Sequence, residues 1–175
     1  MVNPAELKMA PRELLLLRHG IAEERRIDLP DGSRALTPEG RQRTEAVLQR
    51  LLELGLVCDL LLSSPFTRAR QTADLARLAG LAPDLELAAA LEPAGEIGPL
   101  LQLWLGSSSP RPGWRRLALV GHEPDLGQLA ARLIGAPTGA VTLKKAGVVL
   151  VALPEGGSAA RLKLLLSPRS LLACQ

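Results

Sequence analysis

The feature that most constrains this chain is a set of short, wholly apolar runs separated by longer stretches with helical spacing. Residues 14–17 are four successive leucines, and residues 60–62 and 117–120 form similar runs. A run of this length without polar alternation is typical of a parallel strand that is buried on both faces. Such strands need helices on both sides of the sheet. We therefore predict a three-layer α/β/α sandwich with a mostly parallel central sheet.

Capping residues and glycines predict the limits of the other elements. Thr37 and Pro38 are typical of the N-cap and first position of a helix, which Gly55 ends. The remaining predicted elements are helices over 65–79, 100–105 and 125–134, a weak strand over 85–87, and an antiparallel edge or hairpin in which 148–153 and 161–166 flank residues 154–158. The chain is predicted to be one domain, residues 1–175, with a core over residues 13–167.

The composition argues against a nucleic-acid partner. Hydrophobic residues make up 47% of the chain and charged residues 22%, a balance typical of globular proteins. Aromatic residues are only 2%, too few for the stacking platforms that bind single-stranded nucleic acid. The net charge is only +3, with Lys and Arg mixed among Asp and Glu rather than clustered in a basic stripe.

The sequence also argues against a membrane segment, a disulfide and a metal. The N-terminal stretch contains Glu6 and Pro11 and lacks a secretory apolar region, and the leucine run is too short to span a bilayer. A cytoplasmic location is therefore expected. Cys58 and Cys174 are the only cysteines and do not form a disulfide pattern, and no spacing typical of metal ligands occurs. A monomer is expected for a small domain with no spare apolar face.

The two histidines of the chain each follow a predicted strand. His19 comes after residues 14–17 and Arg18, whereas His122 comes after residues 117–120 and Gly121. Ligands of open α/β sheets bind at the carboxyl ends of the strands. The strand over 60–62 runs towards Arg68, so these strand ends are expected to gather Arg18, His19, Arg68 and His122 in one pocket.

Such a pocket suits a phosphoryl group. The planar guanidinium fork matches phosphate oxygens, and two arginines neutralise the charge that spreads over those oxygens during transfer. A neutral imidazole supplies a nitrogen nucleophile, and a second histidine donates a hydrogen bond to the same oxygens. Backbone N–H groups near Gly20 and Ser64 are expected to assist.

Several short motifs carry a family resemblance over residues 14–166. Arg18-His19-Gly20, Ser63-Ser64-Pro65 with Arg68, Gln71-Thr72-Ala73 and Gly121-His122-Glu123 together resemble the histidine phosphatase superfamily, which includes the cofactor-dependent phosphoglycerate mutases. Within it the chain resembles the short SixA-type phosphohistidine phosphatases, on three segments: Leu36-Thr37-Pro38-Glu39-Gly40, Leu91-Glu92-Pro93 and Val120-Gly121-His122-Glu123-Pro124.

The resemblance implies a mechanism and a class of partner. His19 would be the nucleophile and form a phosphohistidine intermediate, and Arg18, Arg68 and His122 would bind the transferred group. Water would then release phosphate. No metal or organic cofactor is implied. The implied partner is a phosphorylated substrate, such as a relay protein phosphorylated on histidine.

Some assignments keep an alternative. Glu92 lies where longer members of the family carry a glutamate general acid, and is the candidate proton donor. The alternative is a site without a well-placed acid, as in short members of the family. Only one of Arg68 and Arg70 can face the pocket, because residues two apart on a helix do not face the same way. The family resemblance favours Arg68. Ser64 is either a helix cap or a substrate contact, and the cap is favoured.

Other polar residues near the motifs have two interpretations. Thr72 is interpreted as a packing residue, and Glu123 either orients His122 or faces solvent. The run over 23–26 is interpreted as a solvated loop that can also line the pocket mouth. Lys144 and Lys145 form an exposed pair, with contact to an acidic partner as the alternative.

Three functions are therefore compared. The leading hypothesis is hydrolysis of protein phosphohistidine, because a short chain without a large cap leaves the pocket open to a protein side chain. The second is hydrolysis of a small phosphate ester by the same residues. The third is a phosphate-binding module without turnover. A role in nucleic-acid binding ranks last.

Overall fold

The structure is a computed structural model that describes residues 11–153 and 160–173. Its strands are β1 (Arg12–Arg18), β2 (Leu60–Ser63), β3 (Leu85–Leu87), β4 (Arg116–Gly121), β5 (Val148–Leu153) and β6 (Arg161–Leu166). Its α-helices are α1 (Pro38–Glu53), α2 (Thr67–Ala79), α3 (Ile97–Leu105), α4 (Asp125–Leu133) and α5 (Pro168–Leu172). Two 3-10 turns, Asp31–Ser33 and Ala89–Leu91, lie in the loops beside the carboxyl ends of β1 and β3.

The strands form one six-stranded sheet in the order β3-β2-β4-β1-β5-β6. The first four of these strands are parallel, whereas β5 runs antiparallel to β1 and β6 antiparallel to β5. The predicted parallel sheet with an antiparallel edge is therefore confirmed. The predicted turn over residues 154–158 lies outside the described residues.

The leucines of β1 show why the sheet is covered on both sides. Leu14 to Leu17 are all 0% exposed. Leu15 and Leu17 pack into a core with α1, α2 and α5, whereas Leu14 and Leu16 pack into a second core with α3 and α4. Successive side chains of a strand point to opposite faces, so one run of leucines supplies both cores. The predicted three-layer sandwich is confirmed.

Two helices begin at residues other than those predicted. Helix α2 begins at Thr67 rather than at Pro65, because the preceding Phe66 is extended and its N–H donates to the Ser64 hydroxyl at 3.2 Å. Helix α3 begins at Ile97 rather than at residue 100. Pro99 lies in its first turn, where a missing N–H costs no intrahelical hydrogen bond.

The parallel strands bring three loop segments to one edge of the sheet. The register pairs Arg18 at the end of β1 with Gly121 at the end of β4, and Ser63 at the end of β2 with Val120. The segments that follow these residues therefore meet above the carboxyl ends of the strands. Within the described residues, every helix is too short or too polar to cross a membrane.

Candidate active site

The two histidines lie side by side because β1 and β4 are neighbours in register. The His19 N–H donates to the Gly121 carbonyl at 3.1 Å, and the two imidazole rings have centroids 5.1 Å apart. His19 is 6% exposed and His122 is 2% exposed, so both rings are nearly removed from bulk water. The centre of the pocket is therefore a pair of buried imidazoles at the carboxyl ends of β1 and β4.

The hydrogen bonds of His19 fix which nitrogen can act as a nucleophile. Its Nδ1 lies 2.7 Å from the Gly20 carbonyl oxygen, which only accepts, so Nδ1 carries the proton. Nε2 is left with its lone pair, and the Arg68 Nε–H donates to it at 3.2 Å. Burial lowers the pKa of His19 to about 3, although the hydrogen bond to the Gly20 carbonyl opposes this. The ring is therefore neutral near pH 7.

Arg68 is held in the pocket by an aspartate that the sequence did not indicate. Its Nη1 donates to the Asp31 carbonyl at 2.7 Å, and its Nη2 pairs with the Asp31 carboxylate at 3.0 Å. Arg34 and Arg25 also pair with this carboxylate, at 2.9 and 3.2 Å. Burial would raise the pKa of Asp31, but Arg68 holds it below its ordinary value.

Arg70 lies outside the pocket, as the family resemblance implies. Its side chain is 60% exposed and makes only a loose ion pair with Asp74, at 3.9 Å, whereas the side chain of Arg68 is 3% exposed. The two residues are two positions apart on α2 and so leave the helix on different faces. The structure brings Arg68, and not Arg70, to the histidines.

Arg18 reaches the pocket from the end of β1. Its Nη1 donates to the Leu143 carbonyl at 2.7 Å, while its Nε is buried without a partner among the described residues. A cavity of about 140 Å³ joins Arg18 to both histidines. The charged side chains on its wall are Arg18, Arg25, Arg34, Arg68, Lys145 and one carboxylate, Glu123. The site is therefore strongly cationic and suited to an anion of phosphoryl size.

Ser64 contacts His122. Its hydroxyl oxygen lies 2.9 Å from His122 Nε2 and accepts the Phe66 N–H, so its own hydrogen can be donated to the imidazole. The proton of a neutral His122 then resides on Nδ1, which is buried without a partner among the described residues. Burial lowers the pKa of His122 to about 4, and Arg68 adds to the effect. Ser64 thus orients the ring of His122 and matches the tautomer in which Nδ1 carries the proton. It is not the predicted cap, because the N-cap of α2 is Phe66.

We expect Ser64→Ala to lower kcat/KM by about tenfold to a hundredfold, because His122 loses the hydrogen bond that orients its ring. Steady-state kinetics and urea unfolding of the same preparation measure the effect. Ser63→Ala is the matched control. Ser63 is the preceding residue and is also buried, but its hydroxyl donates to the Ser64 carbonyl and does not contact His122. Equal losses in the two variants would contradict this role.

The predicted backbone contacts to substrate are wrong for Gly20 and Ser64. The Gly20 N–H donates to the Thr72 hydroxyl at 3.1 Å, and the Ser64 N–H donates to the Val120 carbonyl at 3.0 Å. Both donors are therefore committed within the protein. Gly20 is required for packing, because a Cβ there would lie 2.3 Å from the Thr44 hydroxyl. Thr72 is more than a packing residue, since it anchors the loop that carries His19.

Glu92 does not line the cavity, contrary to its predicted role as proton donor. Its N–H and carbonyl are tied to Ala89 and Gly95 in a tight turn, which puts the next residue, Pro93, on the cavity wall instead. The carboxylate on the wall is Glu123, which accepts the Gly127 N–H at 3.0 Å. Burial raises the pKa of Glu123, although backbone N–H groups and the charge of Arg18 oppose this.

The sequence analysis did not assign four residues to the site that the structure places there, namely Arg25, Asp31, Arg34 and Lys145. Arg25 belongs to the loop that was expected to be able to reach the pocket mouth, and Lys145 to the exposed pair. Asp31 and Arg34 share a short polar loop whose path the sequence does not define. Within the described residues, no three His, Cys, Asp or Glu side chains are grouped so that they could hold a metal ion.

The buried neutral His19 makes stability depend on pH. Its folded pKa lies below the unfolded value of about 6.5, so the unfolded state binds more protons below that pH and stability falls as the pH drops. When the pH falls from 7 to 4.5, the free energy of unfolding should decrease in the native protein and in His19→Gln. We expect the decrease to be about 2–3 kcal/mol smaller in His19→Gln. Urea unfolding in phosphate-free buffer measures this. Ser63→Ala should keep the full native loss, and an unchanged loss in His19→Gln would contradict the burial argument.

Comparison with known proteins agrees with this site and fold. Residues 14–91 match the model of the histidine phosphatase superfamily (branch 1). A Picosynechococcus protein to which no function is assigned is 44% identical over 138 residues, which is 78% of this chain and 82% of that protein. The chain belongs to the histidine phosphatase superfamily and is a phosphatase of that class.

Solved structures refine the likeness. The protein histidine phosphatase SixA complexed with tungstate superposes with a TM-score of 0.78 at 26% identity, over 91% of this chain and 99% of SixA. A phosphoserine phosphatase from Entamoeba histolytica, solved with phosphoserine, superposes with a TM-score of 0.68 at 18% identity. The match covers 92% of this chain and 100% of that phosphatase. The second likeness shows the shared fold. The predicted SixA-like, phosphoglycerate mutase-like fold is confirmed.

Proposed function

We propose that this phosphatase hydrolyses the phosphoryl group of a protein phosphohistidine, with a relay protein phosphorylated on histidine as its partner. The observation that carries the proposal is the state of His19: Nδ1–H donates to the Gly20 carbonyl, and Nε2 is unprotonated, with a lone pair that accepts the Arg68 Nε–H. A neutral, oriented imidazole of this kind is a ready nucleophile for phosphorus.

The reaction has two balanced steps. His19 Nε2 forms a bond to phosphorus while the phosphorus–nitrogen bond of the substrate breaks. The electron pair of that bond goes to the departing imidazole, which leaves as a neutral ring because its other nitrogen has taken up a proton from solvent. Water then attacks the phosphoryl group on His19, the electron pair of the phosphorus–Nε2 bond returns to Nε2, and inorganic phosphate leaves as one proton of the water passes to solvent. Arg18 and Arg68 neutralise the charge on the equatorial oxygens in both steps.

Two buried donors support an oxyanion as the bound group. Arg18 Nε and His122 Nδ1 have no partner among the described residues, and buried polar groups are almost always paired in native proteins. Phosphoryl oxygens would satisfy both. The structurally similar SixA binds tungstate, which is also a tetrahedral oxyanion.

The choice of phosphohistidine rests on the leaving group. An imidazole leaves a phosphoramidate more easily than an alkoxide leaves an ester, so proton donation is less important for this substrate. Glu92, the predicted donor, does not line the cavity. A site that lacks the predicted acid is better matched to phosphohistidine than to an ester.

A small phosphate ester is the second candidate, and Glu123 is the observation that favours it. Its carboxyl group lies on the cavity wall, and burial raises its pKa, so it could protonate a departing alkoxide. The likeness to a phosphatase that binds phosphoserine is consistent with this candidate.

Phosphate release separates these functions. The native protein and His19→Ala are each given a phosphohistidine-bearing protein and a panel of sugar phosphates, nucleotides and phosphoserine. The proposal expects turnover of phosphohistidine that disappears in His19→Ala. Turnover of one ester without phosphohistidine would establish the second candidate, and no release from any donor would leave a phosphate-binding module.

A further inference from the structure

A second cavity, of about 440 Å³, adjoins the catalytic one and shares Arg18 and Lys145 with it. Its other charged lining residues are Arg43, Lys144 and Arg169, and no carboxylate lines it. We call this cavity the basic pocket. Five cationic side chains thus surround a single depression beside the nucleophile.

The cations that are specific to the basic pocket are not neutralised within the protein. Arg43, Lys144 and Arg169 are exposed, and none of them takes part in an ion pair formed by residues 11–153 or 160–173. Elsewhere the exposed arginines often have acidic neighbours, as Arg111 has in Asp84 at 2.7 Å. Unpaired like charges repel each other, so an anionic ligand is the natural complement of this surface.

The fold concentrates these charges at the catalytic edge of the sheet. Arg43 lies in the first half of α1, which begins at this edge, and Lys144 lies in the loop that leads into β5. Arg169 follows β6, which runs parallel to β1 because two antiparallel pairings separate them. Three separate elements therefore present a positive charge beside the mouth of the active site.

We infer that the basic pocket docks an acidic segment of the substrate protein while its phosphohistidine enters the catalytic cavity. The inference rests on the proposed function. A protein fits the observations better than a small metabolite, because the three cations lie on exposed side chains outside the catalytic cavity of about 140 Å³. Charges placed at the rim of a binding site mainly accelerate association and select partners by sign.

Two synthetic peptides test this surface. Both contain one phosphohistidine, which is flanked by glutamates in one peptide and by lysines in the other. The native protein should hydrolyse the glutamate peptide with a kcat/KM at least about tenfold higher at low salt, and the preference should shrink as salt is added. The triple variant Arg43→Glu, Lys144→Glu, Arg169→Glu should lose or reverse the preference.

A matched control keeps the number of charge reversals constant. Arg77, Arg115 and Arg161 are exposed, form no ion pair among the described residues, and lie towards the opposite edge of the sheet. Their triple replacement by glutamate should preserve the preference. Phosphoimidazole, a donor without flanking residues, should be hydrolysed equally by all three proteins.

The possible outcomes separate the docking surface from the catalytic proposal. Absence of turnover with phosphoimidazole and both peptides would remove the proposed function itself. Normal turnover of phosphoimidazole with the same peptide preference in both triple variants would overturn the docking surface alone. Loss of phosphoimidazole turnover in the Arg43, Lys144 and Arg169 variant would also overturn it, because those residues would then act on the reaction and not on docking.

Discussion

Replacement of His19 by glutamine is expected to lower kcat by about 10⁴-fold or more, because the atom that receives the phosphoryl group is removed. Glutamine has a similar length, but its amide nitrogen has no available lone pair for attack on phosphorus. The fold should be retained near pH 7, because the buried ring of His19 is neutral there and glutamine is an uncharged polar side chain. The measurement is single-turnover phosphate release from a phosphohistidine donor.

The chemical nature of the intermediate gives an independent readout. Rapid quenching of the native protein with a radiolabelled donor should trap a phosphoenzyme that is stable in alkali and labile in acid, as a phosphoramidate is. His122→Gln is the informative control: it should slow labelling, but it keeps the nucleophile and should still form the phosphoenzyme. Equal labelling of His19→Gln and the native protein would show that His19 does not carry the phosphoryl group.

The strand-end residues of the site could be predicted because parallel strands share an edge. Arg18, His19 and His122 each follow an apolar run, and once those runs are adjacent strands their carboxyl ends must meet. Helix geometry indicated that only one of Arg68 and Arg70 could face the pocket, and the family resemblance selected Arg68. The strand-end predictions needed only the order of the elements along the chain and the periodicity of each one, whereas the choice of Arg68 also needed the resemblance.

The other predictions failed where the answer depended on the path of a loop. Asp31 reaches Arg68 from a 3-10 turn that is distant in sequence, and no periodic pattern indicates this contact. Glu92 was predicted to be the proton donor, but the turn that holds it presents Pro93 to the cavity instead. Gly20 belongs to a motif of the phosphatase family, and it was expected to contact substrate. In the structure a glycine is needed there because no space exists for a Cβ beside Thr44.

The second large effect is expected at Arg68. Arg68→Ala should lower kcat/KM by about 10²- to 10³-fold, because it removes a charged donor from the developing oxyanion and the hydrogen bond to His19 Nε2. Arg68→Lys should recover only part of this loss, since lysine keeps the charge but not the planar fork. Arg70→Ala is the matched control, and its exposed side chain should be dispensable. Similar losses in the Arg68 and Arg70 variants would contradict the assignment.

Asp31 allows the origin of the Arg68 effect to be tested further. Its carboxylate and its carbonyl each hold one terminal nitrogen of Arg68, so Asp31→Asn should weaken the orientation of the guanidinium and lower kcat/KM by about tenfold. If Asp31 acts only by positioning Arg68, the substitution should have almost no effect in the Arg68→Ala background. Arg34 and Arg25 would still pair with a residue 31 carboxylate in Arg68→Ala, so the loop need not unfold. Additive losses would instead mean that Asp31 contributes to catalysis without Arg68, and that the ion pair is not what orients the site.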